Sequence, residues 1–150
     1  MYTPHYQLGS FEAIPTLAKG QIIRALLHGL CASNLAWLAF EPTPPLYQSG
    51  VRYHHDPDGR LEHWTDIPET LRRGVGACAD LTAWRMAELL AAGDRSHDWH
   101  VTVDDVRTPS GRIVTTYHVC LRRPDPHGEL VDRSGRRWGL EDPSRRLGMP

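Results

Sequence analysis

The sequence is poor in several features that mark broad classes of protein. Its 150 residues carry a formal net charge of −1, and Lys19 is the only lysine, so it lacks the basic excess that binding to nucleic-acid phosphates usually requires. Residues 1–10 lack the basic start and the continuous apolar core of a signal peptide. Internal repeats and low-complexity tracts are absent as well. We therefore expect a soluble, unsecreted protein that does not bind nucleic acid.

Cysteine is scarce, and its spacing argues against two common uses. Cys31, Cys78 and Cys120 are odd in number, far apart and free of any Cys-x-x-Cys pair, so neither a disulfide framework nor a thiolate zinc site is indicated. Such isolated thiols fit a reducing compartment, and we expect a cytoplasmic protein. We expect no membrane partner, because four polar residues interrupt the most apolar stretch: Lys19, Arg24, His28 and Asn34.

The composition is otherwise that of an ordinary globular domain. Hydrophobic residues make up 40% of the chain and charged residues 23%, and this length suits a single core. In residues 15–40, apolar side chains recur at three- and four-residue steps, which predicts an amphipathic helix; the proline-rich residues 41–45 end it. We interpret residues 1–150 as one domain, with that helix and connector in 1–45 and a catalytic-like core in 46–150.

The core region predicts helices first and a sheet second. Turn residues at 56–59 separate two strand-like runs and predict a β-hairpin over residues 51–64. A short helix is expected over 68–73, and a longer one opens at Cys78 and stops at Gly93. Alternating or short apolar runs then predict an antiparallel sheet built from residues 99–103, 113–121, 130–131 and 138–140. The predicted fold class is α+β.

Cys78 is the residue that points most directly to chemistry. The run Gly74-Val75-Gly76-Ala77-Cys78 places its thiol on a glycine-rich turn in the first turn of a helix. Exposed N–H groups and the positive end of the helix dipole stabilise a thiolate there, and the thiolate is the reactive form. Cys120 is a competing thiol, but a mid-strand position offers no helix dipole, and Cys31 within a helical pattern is expected to be core.

Two downstream residues could complete a catalytic site. His118 lies on a strand, on the face opposite Val119, and a neutral imidazole can take the proton of a thiol. Asp142 lies at the end of a short strand, before a proline, and could orient the imidazole. Asp132 is a rival for this role, because it also follows His118 at the end of a short apolar segment.

In this order the three residues resemble the transglutaminase-like superfamily of papain-fold cysteine enzymes. The resemblance covers roughly residues 46–146 and is carried by Gly76, Cys78, Asp80, His118, Val119, Trp138, Asp142 and Pro143. It implies a nucleophile helix packed on a small antiparallel sheet and a triad of Cys78, His118 and Asp142. Residues 46–89 are also similar to small transglutaminase-like proteins encoded in phages and prophages.

Two departures from the family pattern concern the residues around the nucleophile. Ala77 stands where these families often have an aspartate or another polar residue, and no side-chain oxyanion donor has a secure counterpart. Gln48 lies upstream of Cys78, but nothing local assigns it that role. The backbone N–H of Cys78 is the simplest candidate for one donor, and the second is unassigned.

The remaining polar clusters favour structural interpretations. Asp80, in the first turn of the Cys78 helix, would stabilise that helix. The histidines around the predicted hairpin, His54, His55 and His63, suggest a metal only weakly, because adjacent strand residues point to opposite faces. A solvated or protein-contacting surface is expected for the arginine cluster: Arg133, Arg136, Arg137, Arg145 and Arg146.

We therefore predict a thiol enzyme that acts on an amide of a protein or peptide and needs no metal or organic cofactor. Cys78 attacks the carbonyl carbon, His118 activates it and protonates the leaving amine, and Asp142 holds the imidazole. Water would give hydrolysis or deamidation, and an amine would give transamidation. A modifier that binds its partner through the arginine-rich tail would use the same site. The alternative is a non-catalytic structural or adaptor component, for example of a phage particle, that keeps this fold.

Overall fold

A computed structural model describes residues 6–8, 15–55 and 62–150 of the chain. Its elements in chain order are β1 (Tyr6–Leu8), α1 (Thr16–Phe40), a 3-10 turn (Leu46–Gln48), β2 (Arg52–Tyr53), β3 (Glu62–Trp64), α2 (Ile67–Arg73), β4 (Val75–Gly76), α3 (Cys78–Ala91), β5 (Asp98–Arg107), β6 (Ile113–Pro124), β7 (Leu130–Val131), β8 (Arg137–Glu141) and α4 (Pro143–Arg146). The long helix α1 and the helix α3 pack on a curled, four-stranded antiparallel sheet, so the predicted α+β class is confirmed.

The apolar steps of the first helix form the centre of the core. Ile23, Leu27 and Leu30 are fully buried against α3 and the sheet. Lys19 is also buried, 1% exposed, because its ammonium group donates to Asp105 at 3.0 Å and to Thr115 at 3.0 Å on neighbouring strands. Both the packing and this ion pair fasten α1 to the face formed by β5 and β6.

By length and composition alone, α1 is long and apolar enough to cross a membrane. The stretch Leu17–Phe40 has a mean hydropathy of 1.4 over its best window, of which 28% is buried in the protein. Two of the polar residues that interrupt this stretch, Lys19 and Arg24, bind the sheet; Arg24 donates to the Asp98 carboxylate and the Trp99 carbonyl, each at 2.8 Å. The absence of a membrane partner stays a prediction.

The four-stranded sheet runs in the order β5-β6-β8-β7, with every neighbouring pair antiparallel. Trp99 pairs with Leu121, and Val101 with Val119, so their side chains share the face that the helices cover. The predicted strands are therefore confirmed. β8 pairs with the C-terminal part of β6, where Glu141 at the end of β8 lies opposite Leu121.

The predicted hairpin over residues 51–64 is wrong. β2 pairs in parallel with β4, with Tyr53 opposite Gly76, whereas β3 pairs with β1 in another small sheet. Trp64 of β3 is fully buried and donates its indole N–H to the Tyr117 hydroxyl at 2.8 Å. Core packing of distant residues thus separates the two strands, and the turn predicted at residues 56–59 lies outside the described residues.

The two helices that flank the cysteine turn lie within two residues of their predicted bounds. Asp66 accepts the N–H of Glu69 at 3.2 Å at the start of α2, and Gly74 ends that helix with a left-handed φ of 71°. In α3, Leu81, Trp84 and Ala87 are fully buried. α3 therefore enters the core immediately after Cys78.

Candidate active site

The turn before Cys78 is tightly packed. Gly76 has no side chain, and a Cβ atom there would lie 3.0 Å from the Leu81 side chain and 3.1 Å from that of Thr70. Cys78 follows as the first residue of α3 and is 7% exposed. The glycine-rich run therefore places the thiol at a helix N-terminus, as its sequence predicts.

Asp80 holds the backbone on either side of α2 in place. Its carboxylate accepts the N–H of Thr65 at 2.7 Å and the N–H of Ala77 at 2.9 Å, and the residue is only 1% exposed. Two hydrogen bonds to N–H groups compensate part of the cost of burying this carboxylate. Asp80 thus has the structural role that its position in the first helical turn predicts, and it fixes the residue that precedes Cys78.

His118 and Asp142 are joined directly. The imidazole Nε2 lies 2.8 Å from Asp142 Oδ2, and the two side chains are 28% and 16% exposed. Asp142 Oδ1 accepts the N–H of Ser144 at 3.1 Å and so caps α4. Burial, the largest single influence, raises the pKa of Asp142, but the hydrogen bond and charge of His118 together with the helix N–H groups lower it overall.

This geometry decides which imidazole nitrogen can act as a base. An ionised carboxylate only accepts hydrogen bonds, so Nε2 of His118 donates to Asp142 and carries the proton. In the neutral ring Nδ1 then has the free electron pair. The pair therefore presents Nδ1 of His118 as the atom that can take a proton from a nucleophile.

Cys78 is connected to this pair through the packing of the elements that carry them. One turn after Cys78, the Thr82 hydroxyl donates to the carbonyl of Val119, the neighbour of His118, at 3.0 Å. β2 makes a second connection, because it pairs with the strand that leads into Cys78, while Tyr53 donates its N–H to the Leu147 carbonyl at the end of α4 at 2.8 Å.

Of the three predicted residues, His118 and Asp142 are joined by a hydrogen bond. Catalytic hydrogen bonds in the absence of substrate are often long and tighten only when substrate binds. The approach of the Cys78 thiol to Nδ1 of His118 stays a prediction.

The rival carboxylate, Asp132, is used elsewhere. Its Oδ2 accepts the indole N–H of Trp138 at 2.9 Å, and its Oδ1 accepts from Ser134 and from the N–H of Arg136 at 3.0 Å. These hydrogen bonds, led by the one from Ser134, lower the pKa of Asp132. Asp132 thus stabilises the turn between β7 and β8. The imidazole of His118 forms its hydrogen bond with Asp142 instead.

The other two thiols are in environments that disfavour a thiolate. Burial raises the pKa of Cys31 to about 11. Burial and, secondly, the charge of Asp142 raise the pKa of Cys120 to about 12. Both thiols therefore stay protonated at neutral pH and serve as internal references for the reactivity of Cys78.

The role of Gln48 as an oxyanion donor stays a hypothesis. Gln48 is exposed on the 3-10 turn, and the N–H of Leu46 in that turn donates to Glu88 at 2.9 Å. Glu88 is about 15 Å along α3 from Cys78 at the rise of an α-helix. The 3-10 turn is thus anchored to the far half of α3.

The histidines of the predicted hairpin do not form a metal centre in the described structure. His54 follows β2 and His63 lies on β3, which belong to separate sheets. Within residues 6–8, 15–55 and 62–150, no group of three or more suitable side chains could hold a metal ion.

The arginine-rich region covers aromatic side chains and leaves charge on the surface. The guanidinium groups of Arg122 and Arg136 lie 4.2 Å and 4.7 Å from the centre of the Trp138 ring. Arg145 is exposed and lies 3.6 Å from Asp142. The exposure of Arg145 agrees with a solvated surface, and contact of these arginines with another protein stays a prediction.

Sequence analysis missed a polar contact beside Asp142. Glu141 accepts the Tyr47 hydroxyl at 2.6 Å and Nε of Arg85 at 2.7 Å. The available signal was spacing: Glu141 precedes Asp142 on a strand and faces the other side, and Arg85 lies seven residues after Cys78 on the same helical face. We call Tyr47, Arg85 and Glu141 the Glu141 clamp.

Comparison of the chain with protein-family models, with curated proteins and with solved structures finds no match. The class of protein therefore rests on the fold and the site alone. They define a mixed α+β protein in which a cysteine opens a core helix and a histidine–aspartate pair lies on the adjoining sheet.

Proposed function

We propose that this protein is a thiol-dependent amide hydrolase or acyltransferase, of the peptidase, deamidase or transglutaminase type, built on a papain-like arrangement. The observation that carries the proposal is the 2.8 Å hydrogen bond from His118 Nε2 to Asp142, two partly buried groups on elements packed against the helix that Cys78 opens. A base that is oriented by a carboxylate can activate the thiol of a cysteine at a helix N-terminus.

The chemistry follows from the assigned proton positions. Nδ1 of His118 takes the Cys78 proton, and the sulfur attacks the amide carbon of a protein or peptide, giving a tetrahedral oxyanion near the N–H of Cys78. The imidazolium then gives that proton to the leaving amine, the C–N bond breaks and a thioester remains. Water or an amine attacks the thioester with Nδ1 as base, and the acyl group leaves the sulfur as an acid or a new amide.

Site-selective alkylation tests the proposal. We expect iodoacetamide at near-neutral pH to label Cys78 of the folded protein far faster than Cys31 or Cys120, because burial suppresses ionisation of the other two thiols. His118→Gln should slow labelling of Cys78 by about a hundredfold, the lower end of the range for a general base. Labelled peptides are quantified by mass spectrometry, with the unfolded protein in urea as the reference for intrinsic reactivity.

Equal labelling of all three cysteines in the folded protein would contradict the proposal. So would a His118→Gln variant that is labelled at the parent rate and unfolds at the same urea concentration.

The second candidate function is a structural or adaptor component, for example of a phage particle. It is favoured by the low exposure of Cys78, 7%, together with the alanine that precedes it. A Cys78 that resists alkylation, with a Cys78→Ser variant that assembles normally with its partners, would establish this second function in place of the first.

A further inference from the structure

The Glu141 clamp connects the helix that carries the cysteine to the strand that carries the aspartate. Arg85 projects from α3 two turns after Cys78, and its Nε lies 2.7 Å from Glu141 Oε2 at the end of β8. Asp142 is the next residue after Glu141. The ion pair therefore sets the distance between α3 and the backbone of Asp142.

Tyr47 fixes the same carboxylate from a third direction. Its hydroxyl donates to Glu141 at 2.6 Å, and its ring is covered by Arg146 at 3.7 Å and by Arg85 at 5.3 Å. The side chains of Arg85 and Glu141 are 25% and 23% exposed, so water screens the pair only in part. Burial, the largest influence, raises the pKa of Glu141, but Arg85 and Tyr47 together lower it overall, so Glu141 stays ionised at neutral pH.

We propose that Tyr47 and Arg85 are positioning residues, which act through Glu141 to hold Asp142 in hydrogen-bond range of His118. The inference rests on the proposed function, because orientation of His118 matters for chemistry only if Cys78 is the nucleophile. The argument is geometric. Adjacent strand residues face opposite sides, so Glu141 is anchored toward α3 while Asp142 reaches across to the imidazole.

Two measurements on Arg85→Gln and Tyr47→Phe test the inference. Nitrogen NMR of the imidazole rings gives the fraction of neutral His118 that carries its proton on Nε2, with the signal assigned by its loss in His118→Gln. We expect the parent protein to hold this tautomer and both variants to populate the Nδ1–H form. The pH profile of Cys78 alkylation should lose amplitude in parallel, by about tenfold for Arg85→Gln, as expected when a catalytic group is misplaced by a fraction of an ångström.

Glu88→Gln is the matched control. Glu88 also contacts Arg85, at 3.5 Å, and accepts the N–H of Leu46; glutamine can still accept that N–H, and the substitution leaves the partners of the 2.7 Å bond from Arg85 to Glu141 in place. It should leave the tautomer and the alkylation profile unchanged, and Arg85→Lys should restore part of both, since it returns the positive charge.

The inference is overturned if Arg85→Gln and Tyr47→Phe keep the parent tautomer and alkylation profile, or if Glu88→Gln changes them equally. The proposed function can fail separately. If the tautomer responds as expected while Cys78 of the parent is not labelled selectively, the positioning role stands and the thiol chemistry does not.

Discussion

At the scale of single residues, the two oxygens of Asp142 have separate tasks. Oδ1 caps α4 through the N–H of Ser144, and Oδ2 receives the imidazole of His118. An asparagine could still cap the helix, because its Oδ1 accepts the same N–H group. It would present an N–H group where the imidazole needs an acceptor. Stability and chemistry can therefore be separated at this position.

We expect Asp142→Asn to abolish base activity with little loss of stability. The amide would donate to Nε2, so the proton of a neutral His118 would move to Nδ1 and remove the electron pair that takes the thiol proton. Acylation of Cys78 by an activated ester should fall on the order of a thousandfold or more, as when a triad histidine is held in the wrong tautomer. Ester turnover and urea unfolding are measured on the same samples.

Asp142→Ala provides the comparison. It should lower ester turnover as well, but it also removes the cap of α4 and should cost about 1 kcal/mol of unfolding free energy. Turnover of the asparagine variant at the parent rate would show that Asp142 does not determine the state of His118.

At the scale of elements, the position of β8 depends on a close approach of two backbones. Gly128 precedes β7, and a Cβ atom there would lie 2.2 Å from the carbonyl carbon and oxygen of Trp138 in β8. A backbone strand cannot move aside like the end of a flexible side chain. Any side chain at Gly128 would therefore displace β8, which leads directly to Asp142.

We expect Gly128→Ala to destabilise the protein by about 3 kcal/mol, the upper part of the usual range for an overpacked interior. It should also slow alkylation of Cys78, because the displaced β8 carries Asp142 with it. Both effects are measured by urea unfolding and by peptide mass spectrometry.

Gly135→Ala is the control from the other end of β7. Gly135 has a φ of 83° but open space where its Cβ would lie. The substitution should cost only the strain of a left-handed alanine, about 1 kcal/mol, and leave labelling unchanged. Equal losses for the two variants would argue against the steric explanation.

Strand pairing is also where local sequence reasoning failed. The runs around residues 51–64 have the composition of a hairpin, yet Tyr53 pairs beside Gly76 and Trp64 is buried against Tyr117. A turn signal reports only on the residues within it. The burial of a large aromatic side chain depends on distant parts of the chain, and it stabilises the fold by more than one local turn.

At the scale of the whole molecule, buried or partly buried ion pairs join the helical layer to the sheet. Asp98 at the start of β5 accepts from Arg24 of α1 at 2.8 Å and from Arg122 of β6 at 2.9 Å. Burial, the largest influence, raises the pKa of Asp98, but the two arginines and the N–H of Trp99 lower it overall. The pKa values of Asp142 and Glu141 are lowered overall for similar reasons.

We expect the protein to lose stability in acid, with the loss beginning near the ordinary carboxyl pKa values of about 4. The sign follows from proton binding: these carboxyl groups have lower pKa values when folded, so in that interval the unfolded chain binds more protons. Their contribution is complete above the unfolded pKa and is lost as the pH falls through the folded one. Urea unfolding from about pH 7 to about pH 3 measures it.

Asp98→Asn should reduce this dependence on pH, whereas Asp104→Asn, at an exposed carboxylate of the same strand, should not. An unchanged acid profile in Asp98→Asn would mean that this ion pair does not link the layers energetically.

The sequence by itself determined the local features of this protein. Helix periods, the helix end at Gly74, the alternation that turns His118 away from Val119 and the helix start at Cys78 all depend on neighbours within a few residues, so they can be predicted from spacing. Only the tertiary structure decided which strand β2 joins, that Asp142 and not Asp132 meets His118, and that Tyr47 and Arg85 hold Glu141. These choices join residues far apart in the chain, and they follow from which side chains the core can bury and which charges it can pair.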